Sequence, residues 1–260
     1  MKSIRQVLAA AACLAALSLC VAFAVHSRPA RAGDPSALWH VVHDLCVTDM
    51  RASGLPAPCA KVDLAGGYAV LKDIRGRTQL LLIPTARVSG IDSPLILAAN
   101  SPNYWRAAWE AVAIFEKRAR RDVPRDDIAL AINSIYGRSQ DQLHIHIDCV
   151  RREVRDTLRA NLAGIGPRWA RLDVNLAGQR YRAMRLDGPD LGARDPFKLL
   201  ARGDPAARAD MGLETLAVVG ATFEGKTPGY ILLAGRADPA GRDLGSGEDL
   251  LDHDCAVLAR

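Results

Sequence analysis

The sequence is poor in the residue types that build nucleic-acid and metal sites. Aromatic residues make up only 5% of the 260 positions, which leaves few platforms on which bases could stack. The chain has no HExxH motif and no closely spaced cysteine pair, so it offers no zinc signature and we expect neither a metal nor a cofactor. The net charge is only +5, with scattered basic residues. These features exclude a nucleic-acid-binding protein and favour an anionic small ligand or an anionic membrane surface.

The amino terminus predicts an export segment. Lys2 and Arg5 precede an apolar run over residues 7–25, which approaches the roughly 20 residues that a membrane helix needs. We favour an uncleaved single-pass anchor over residues 1–33, with cleavage after Ala32 as the alternative. Residues 34–260 would then form the catalytic domain, and the hydrophobic content of 49% is typical of a globular fold.

The cysteines outside that segment form an even set, which fits two disulfides in an exported domain. Four cysteines allow three pairings. A bond between Cys46 and Cys59 would close a short proline-rich loop and leave Cys149 to pair with Cys255. Free buried thiols in a reducing compartment are the alternative.

The stretch SQDQLHIHIDC, residues 139–149, alternates polar and apolar side chains. Such alternation is typical of a β-strand whose two faces have different surroundings. Three apolar residues would enter a core, and the opposite face would carry Gln142, His144, His146 and Asp148. An amphipathic strand with a solvated polar face is the plainer interpretation, but two imidazoles on one face favour a reactive site.

The remaining pattern predicts an α+β fold with a mostly antiparallel sheet and packed helices. Residues 68–73 and 79–84 read as a hairpin around Gly76, and residues 128–132 as a further strand. Helices are expected over residues 39–50, 101–121 and 152–162, with Ser101 and Pro102 starting the second of these. Residues from about 169 onward should extend this unit or form a second pseudo-symmetric half.

The segment GRSQDQLHIHIDCVR resembles the signature strand of the histidine-triad superfamily, in which three alternating histidines follow Gly-x-Ser. The segments LLIPT, GIDSP, NYWRAAW, AINS and the terminal DHDC resemble, more closely, the bacterial CDP-diacylglycerol pyrophosphatase family. This similarity covers roughly residues 39–255. It implies a histidine-triad-like fold and a hydrolase of phospholipid metabolism in the inner membrane, with its catalytic domain in the periplasm. It also implies CDP-diacylglycerol and membrane lipid as partners, and leaves a homodimer open.

Each site role follows from a position in that motif. Gln142 stands where the superfamily has its first histidine, which makes His144 the middle, nucleophilic member and His146 the third. The backbone carbonyl of residue 142 could still orient His144, although a glutamine side chain cannot carry charge at neutral pH. Ser139 is the Gly-x-Ser serine and would bind a phosphate or leaving oxygen. Further substrate-binding candidates are Gln142, Asn133, Arg138 and Lys72.

Three functions are compatible with the sequence. The first is hydrolysis of the pyrophosphate bond of CDP-diacylglycerol to CMP and phosphatidate, with a neutral imidazole attacking where an anion would be repelled. The second is an exported hydrolase of soluble nucleotide diphosphate esters. The third is a catalytically silent lipid- or nucleotide-binding module. An apolar groove beside His144 would favour the first, and a His144 buried away from any cavity would favour the third.

Overall fold

The computed structural model describes residues 33–259 and has the predicted α+β composition. Helical structure begins with α1 (Ala37–His40), continues as a π-helix (Val41–Val47) and ends with α2 (Thr48–Ser53). The other helices are α3 (Tyr104–Glu110), α4 (Val112–Ala119), α5 (Arg152–Ala160), α6 (Pro196–Gly203) and α7 (Pro205–Ala209). Single 3₁₀ turns occur at Pro94–Leu97, Arg125–Asp127, Leu162–Gly164, Met211–Leu213, Glu224–Lys226, Gly247–Leu250 and Ala256–Leu258.

The strands form one large sheet in which every pairing is antiparallel. They are β1 (Lys61–Asp63), β2 (Tyr68–Lys72), β3 (Leu80–Pro84), β4 (Ile128–Ile132), β5 (Ile145–Val150), β6 (Ala170–Leu176), β7 (Gln179–Asp187), β8 (Glu214–Phe223), β9 (Thr227–Arg236) and β10 (Leu251–Asp252). The predicted mostly antiparallel sheet is therefore confirmed.

The strand order repeats within the sheet. The spatial order is β1-β2-β3-β5-β4-β8-β9-β7-β6, with β10 beside β5. Each half consists of a hairpin, a helical segment and a second hairpin, and the two halves meet where β4 pairs with β8. Reading outward from that central pair, β4, β5, β3 and β2 match β8, β9, β7 and β6. The sheet thus has the internal pseudo-symmetry that the sequence left as one of two expectations.

Both faces of the sheet are buried, which explains the apolar composition of its central strands. Leu143, Ile145 and Ile147 enter the larger core together with the fully buried Trp105 and Phe115. The aromatic residues of the predicted second helix are therefore core residues. A second cluster covers the other face around α5 and the β8–β9 hairpin, and a third packs the amino-terminal helices on β2 and β3.

The helix predicted over residues 101–121 differs from the structure in its start and its continuity. Asn103 is the N-cap, because its side chain accepts a hydrogen bond from the Arg106 backbone N–H. Ser101 instead donates its hydroxyl to the Ile96 carbonyl. The helix is also interrupted at Ala111, which ends α3 and precedes α4.

Two disulfides cross-link the domain. One joins Cys46 to Cys59, and the other joins Cys149 on β5 to Cys255 near the carboxyl terminus. Among residues 33–259, no helix has the length and apolarity needed to cross a bilayer. The predicted anchor at residues 1–33 lies almost entirely outside the described part of the chain.

Candidate active site

His144 lies immediately before β5, on the face opposite the core residues of that strand. Its Nδ1 is 2.7 Å from the backbone carbonyl oxygen of Gln142. Because a carbonyl oxygen can only accept, Nδ1 carries the proton and Nε2 keeps a free lone pair. Burial lowers the pKa of His144, since desolvation penalises the imidazolium. The ring is therefore neutral at pH 7 and has a nucleophilic nitrogen in a fixed tautomer.

His146 follows two residues later on the same face, and its ring centroid is 5.0 Å from that of His144. Its Nδ1 lies 2.8 Å from the side-chain amide nitrogen of the fully buried Gln79. An amide N–H donating to Nδ1 leaves the proton of His146 on Nε2. That Nε2 is buried and has no hydrogen-bond partner within residues 33–259. Burial and the neighbouring His144 hold the pKa of His146 well below its usual value, so the ring is a neutral donor.

Two carboxylates face the imidazole of His146. Glu248 Oε1 is 3.4 Å and Asp73 Oδ2 is 3.8 Å from its Nδ1. Asn133 fixes Glu248 by donating its amide to Oε2 at 2.8 Å. The Asn133 carbonyl oxygen also accepts from the backbone N–H groups of Gly247 and Glu248. Asn133 thus acts mainly as the residue that positions Glu248.

A histidine–carboxylate pair lies behind this group. His253 Nδ1 is 2.8 Å from Oδ2 of the fully buried Asp148, and this hydrogen bond raises the pKa of His253. Burial raises the pKa of Asp148. His253 Nε2 is 4.0 Å from Glu248 Oε1, which connects the pair to the carboxylates. The Cys149–Cys255 disulfide holds the terminal segment beside β5, so His253 stays in place.

A cavity of about 320 Å³ opens in front of the two histidines. Its polar lining includes His144, His146, Ser139, Asn133 and Glu248. Its apolar wall is formed by Ala37, Leu38, Val41, Leu71, Ile74 and Leu81. An apolar wall beside a nucleophilic imidazole suits a ligand with a polar reacting group and a hydrophobic part.

The remaining predicted ligand residues have other contacts. The side chain of Gln142 is fully buried. Its amide nitrogen donates to the backbone carbonyls of Pro84 and Ala86, and its amide oxygen accepts from the Val88 backbone N–H. Arg138 pairs with Asp92 and Asp141 and is absent from the cavity lining. Lys72 does line the cavity, but its ammonium donates to the carbonyls of Asp73, Arg75 and Gly76. Burial lowers the pKa of Lys72. These side chains thus support the loops around the site.

Sequence reasoning missed Gln79, Glu248, Asp73 and His253. Gln79 precedes the apolar LLLIP strand, where the pattern predicts only the start of a hairpin strand. Leu81 pairs with His146 across β3 and β5, so Gln79, two residues earlier, shares the face of His146. Glu248 belongs to a polar loop without any motif. His253 is part of the DHDC segment, and that similarity was the only signal for it.

The donor set for a metal is weak. Among residues 33–259, the only group with three ligand atoms close together is Asp148, Cys149 and Cys255, within 4.8 Å of one another. The two sulfurs are joined in a disulfide, and metal ligation by cysteine requires a thiolate. This group therefore does not fit a metal ion.

Two comparisons with known proteins bear on the site. The family model described as CDP-diacylglycerol pyrophosphatase matches residues 33–259. A CDP-diacylglycerol pyrophosphatase from Yersinia pestis is 40% identical over 228 residues, which cover 88% of this chain and 87% of that protein. The family match includes every residue that lines the cavity.

Proposed function

Because the chain belongs to the CDP-diacylglycerol pyrophosphatase family and hydrolyses the pyrophosphate bond of CDP-diacylglycerol, we propose that His144 is the nucleophile of a two-step reaction. Nε2 of His144 attacks the phosphorus of the CMP moiety, a nitrogen–phosphorus bond forms, and the bond to the bridging oxygen breaks. Phosphatidate leaves with that oxygen and its electron pair. Water then attacks the same phosphorus, and CMP is released from Nε2.

The observation that carries this proposal is the 2.7 Å hydrogen bond from His144 Nδ1 to the Gln142 carbonyl. It directs the lone pair of Nε2 away from the backbone, and His144 lines the cavity. A neutral ring approaches the anionic pyrophosphate without charge repulsion. A catalytically silent module is disfavoured, because it would have no need of a fixed tautomer at a cavity wall.

His146 supplies the second contact to the reacting phosphate. Its buried Nε2–H has no hydrogen-bond partner in the described part of the chain, and a nonbridging phosphate oxygen would satisfy it as negative charge develops. Ser139 is exposed on the cavity wall, and its side chain has no hydrogen bond to another residue within 33–259, so it binds the same phosphate or the leaving oxygen. Glu248 accepts a proton from the water of the second step. Asn133 holds that carboxylate in place.

The proposal also covers the fold of the domain and the compartment in which it lies. We assign residues 34–260 to a histidine-triad-like domain in two pseudo-symmetric halves, and the repeated strand order supports this. Residues 1–33 would anchor the chain in the inner membrane with the domain in the periplasm. The two disulfides support that side, since they persist in oxidising compartments. The family match, which begins at residue 33, supports the boundary.

Hydrolysis in ¹⁸O-labelled water tests which phosphorus is attacked. The full chain is given CDP-diacylglycerol in detergent micelles, and in parallel a soluble CDP-alcohol. We expect the label in CMP. Label in phosphatidate would place the attack on the other phosphorus and refute the proposal. Faster cleavage of the soluble CDP-alcohol would favour the soluble-substrate hydrolase instead.

Matched variants test the two histidine roles. His144→Ala should lose essentially all turnover, whereas His146→Ala and Ser139→Ala should fall by about 10²–10³-fold, the usual effect of removing one donor to developing charge. Arg171→Ala serves as the control, because Arg171 is exposed on β6 in the other half of the sheet and lies outside the cavity lining. Equal residual activity in the two histidine variants would contradict the assignment of His144 as the sole nucleophile.

A further inference from the structure

The loop between β2 and β3 exposes an apolar residue beside the cavity. Ile74 is 99% exposed, although the same residue lines the catalytic cavity. Transfer of this side chain from water to an apolar environment would be favourable. Its neighbours Arg75, Gly76 and Arg77 are exposed as well, so the loop projects from the domain surface.

The loop is fixed in this position. The Lys72 ammonium donates to three of its backbone carbonyls, and the Arg75 backbone N–H donates to Asp73 Oδ1 at 3.0 Å. Gly76 has a φ of +62°, and a Cβ there would lie 3.0 Å from the His253 Cβ and carbonyl oxygen. The loop therefore packs against the terminal segment, and Ile74 is held outward by this packing.

Basic residues surround the loop. Arg77 lines one surface depression together with Arg118, Arg120 and Arg121, and Arg75 lines the cavity beside Ile74. All five arginines are exposed. Asp254 is the acidic residue of that depression, yet within residues 33–259 none of the five forms an ion pair with a carboxylate. This side of the domain thus has uncompensated positive charge.

We infer that Ile74 and these five arginines form a membrane-docking face that binds an anionic lipid bilayer. Ile74 enters the bilayer interface, and the arginines contact lipid phosphates. The cavity mouth then faces the bilayer from which the lipid substrate must enter. Each basic residue near the membrane surface adds electrostatic attraction to anionic lipid. The apolar side chain of Ile74 strengthens binding through the area that it buries in the bilayer interface. This inference rests on the proposed function, hydrolysis of a lipid substrate in the catalytic cavity.

Charge reversal tests the docking face in the full chain, reconstituted in phosphatidylcholine vesicles with or without phosphatidylglycerol. Arg77→Glu with Arg118→Glu should lower turnover of CDP-diacylglycerol in the anionic vesicles by at least tenfold, because each basic residue near such a surface contributes about fivefold. Turnover of a short-chain, water-soluble CDP-diacylglycerol should be unchanged. That measurement separates failure of docking from failure of the proposed chemistry.

Arg171→Glu with Arg180→Glu is the matched control, since both arginines are exposed on the β6–β7 hairpin of the other half and the charge change is identical. Equal losses in the two double variants, or no loss in either, would overturn the inference. A second measurement uses Ile74→Trp in vesicles of brominated phosphatidylcholine with phosphatidylglycerol. Tryptophan fluorescence should be quenched more than in the unsubstituted chain, and equal quenching would place residue 74 in water.

Discussion

Replacing Gln79 by glutamate should cost much more activity than replacing it by leucine. The Gln79 amide nitrogen lies 2.8 Å from His146 Nδ1 and donates to it, which keeps the imidazole proton on Nε2. A carboxylate at this position accepts instead of donating, so it draws the proton to Nδ1. Glu248 and Asp73, at 3.4 and 3.8 Å, would reinforce that tautomer. Nε2 then has no hydrogen to offer the phosphate.

The magnitude follows from the lost donor. Removing one preorganised donor to developing charge lowers kcat by about 10²–10³-fold, and we expect Gln79→Glu in this range with a smaller change in KM. Gln79→Leu removes one hydrogen bond, which contributes about 1 kcal/mol, and leaves the tautomer free, so a loss of roughly fivefold is expected.

Steady-state rates on CDP-diacylglycerol in detergent micelles provide the assay, and ¹⁵N NMR of the His146 ring reports the tautomer directly. Gln79→Glu should shift the proton from Nε2 to Nδ1. A glutamate variant that retains half or more of the activity would refute this role of Gln79. A proton already on Nδ1 in the unsubstituted protein would refute it as well.

Three further predictions concern residues around the site. Glu248→Gln should slow release of CMP more than release of phosphatidate, so a burst of phosphatidate should precede the steady state; a slower burst would place Glu248 in the first step. His253→Gln should lower the melting temperature more at about pH 6 than at about pH 9. The pKa of His253 is raised in the folded state, so protonated His253 stabilises the fold below the unfolded-state pKa of about 6.5, and this contribution is lost as the pH rises through the folded-state pKa. An equal shift of the melting temperature at both pH values would contradict the ion pair. Cys149→Ala with Cys255→Ala should lower the free energy of unfolding by roughly 4–5 kcal/mol, since that disulfide closes a loop of 106 residues, and a loss under 1 kcal/mol in denaturant titrations would show that packing alone holds the terminal segment.

The sequence predicted the local pattern of the site better than its surroundings. Strict alternation placed Gln142, His144, His146 and Asp148 on one face, because the strand period is independent of tertiary contacts. The orienting role of the residue 142 carbonyl was also predictable, since it depends only on the position two residues before His144. The hairpin around Gly76 and the antiparallel sheet followed from strand length and turn residues.

The partners of these histidines could not be read from the chain. Glu248 reaches His146 only because the polar loop before β10 folds back over β4, where Gly247 and Glu248 bond to Asn133. Gln79 meets His146 through the pairing of β3 with β5, which is a non-local register. Arg138 and Lys72 are residue types that bind phosphate, but both have other partners in the fold. Arg138 pairs with Asp92, and Lys72 donates to backbone carbonyls such as that of Arg75, contacts that the sequence pattern does not indicate.

The proposed mechanism requires that His144 form a covalent bond to the CMP phosphorus. The most direct test is to quench the full chain in base during turnover of CDP-diacylglycerol, digest it and map adducts by mass spectrometry, with Glu248→Gln to slow the second step. We predict an acid-labile adduct of the mass of CMP less water on the peptide that contains His144, absent from His144→Ala. An adduct on His146, or turnover of Glu248→Gln without any nucleotidyl adduct, would contradict it.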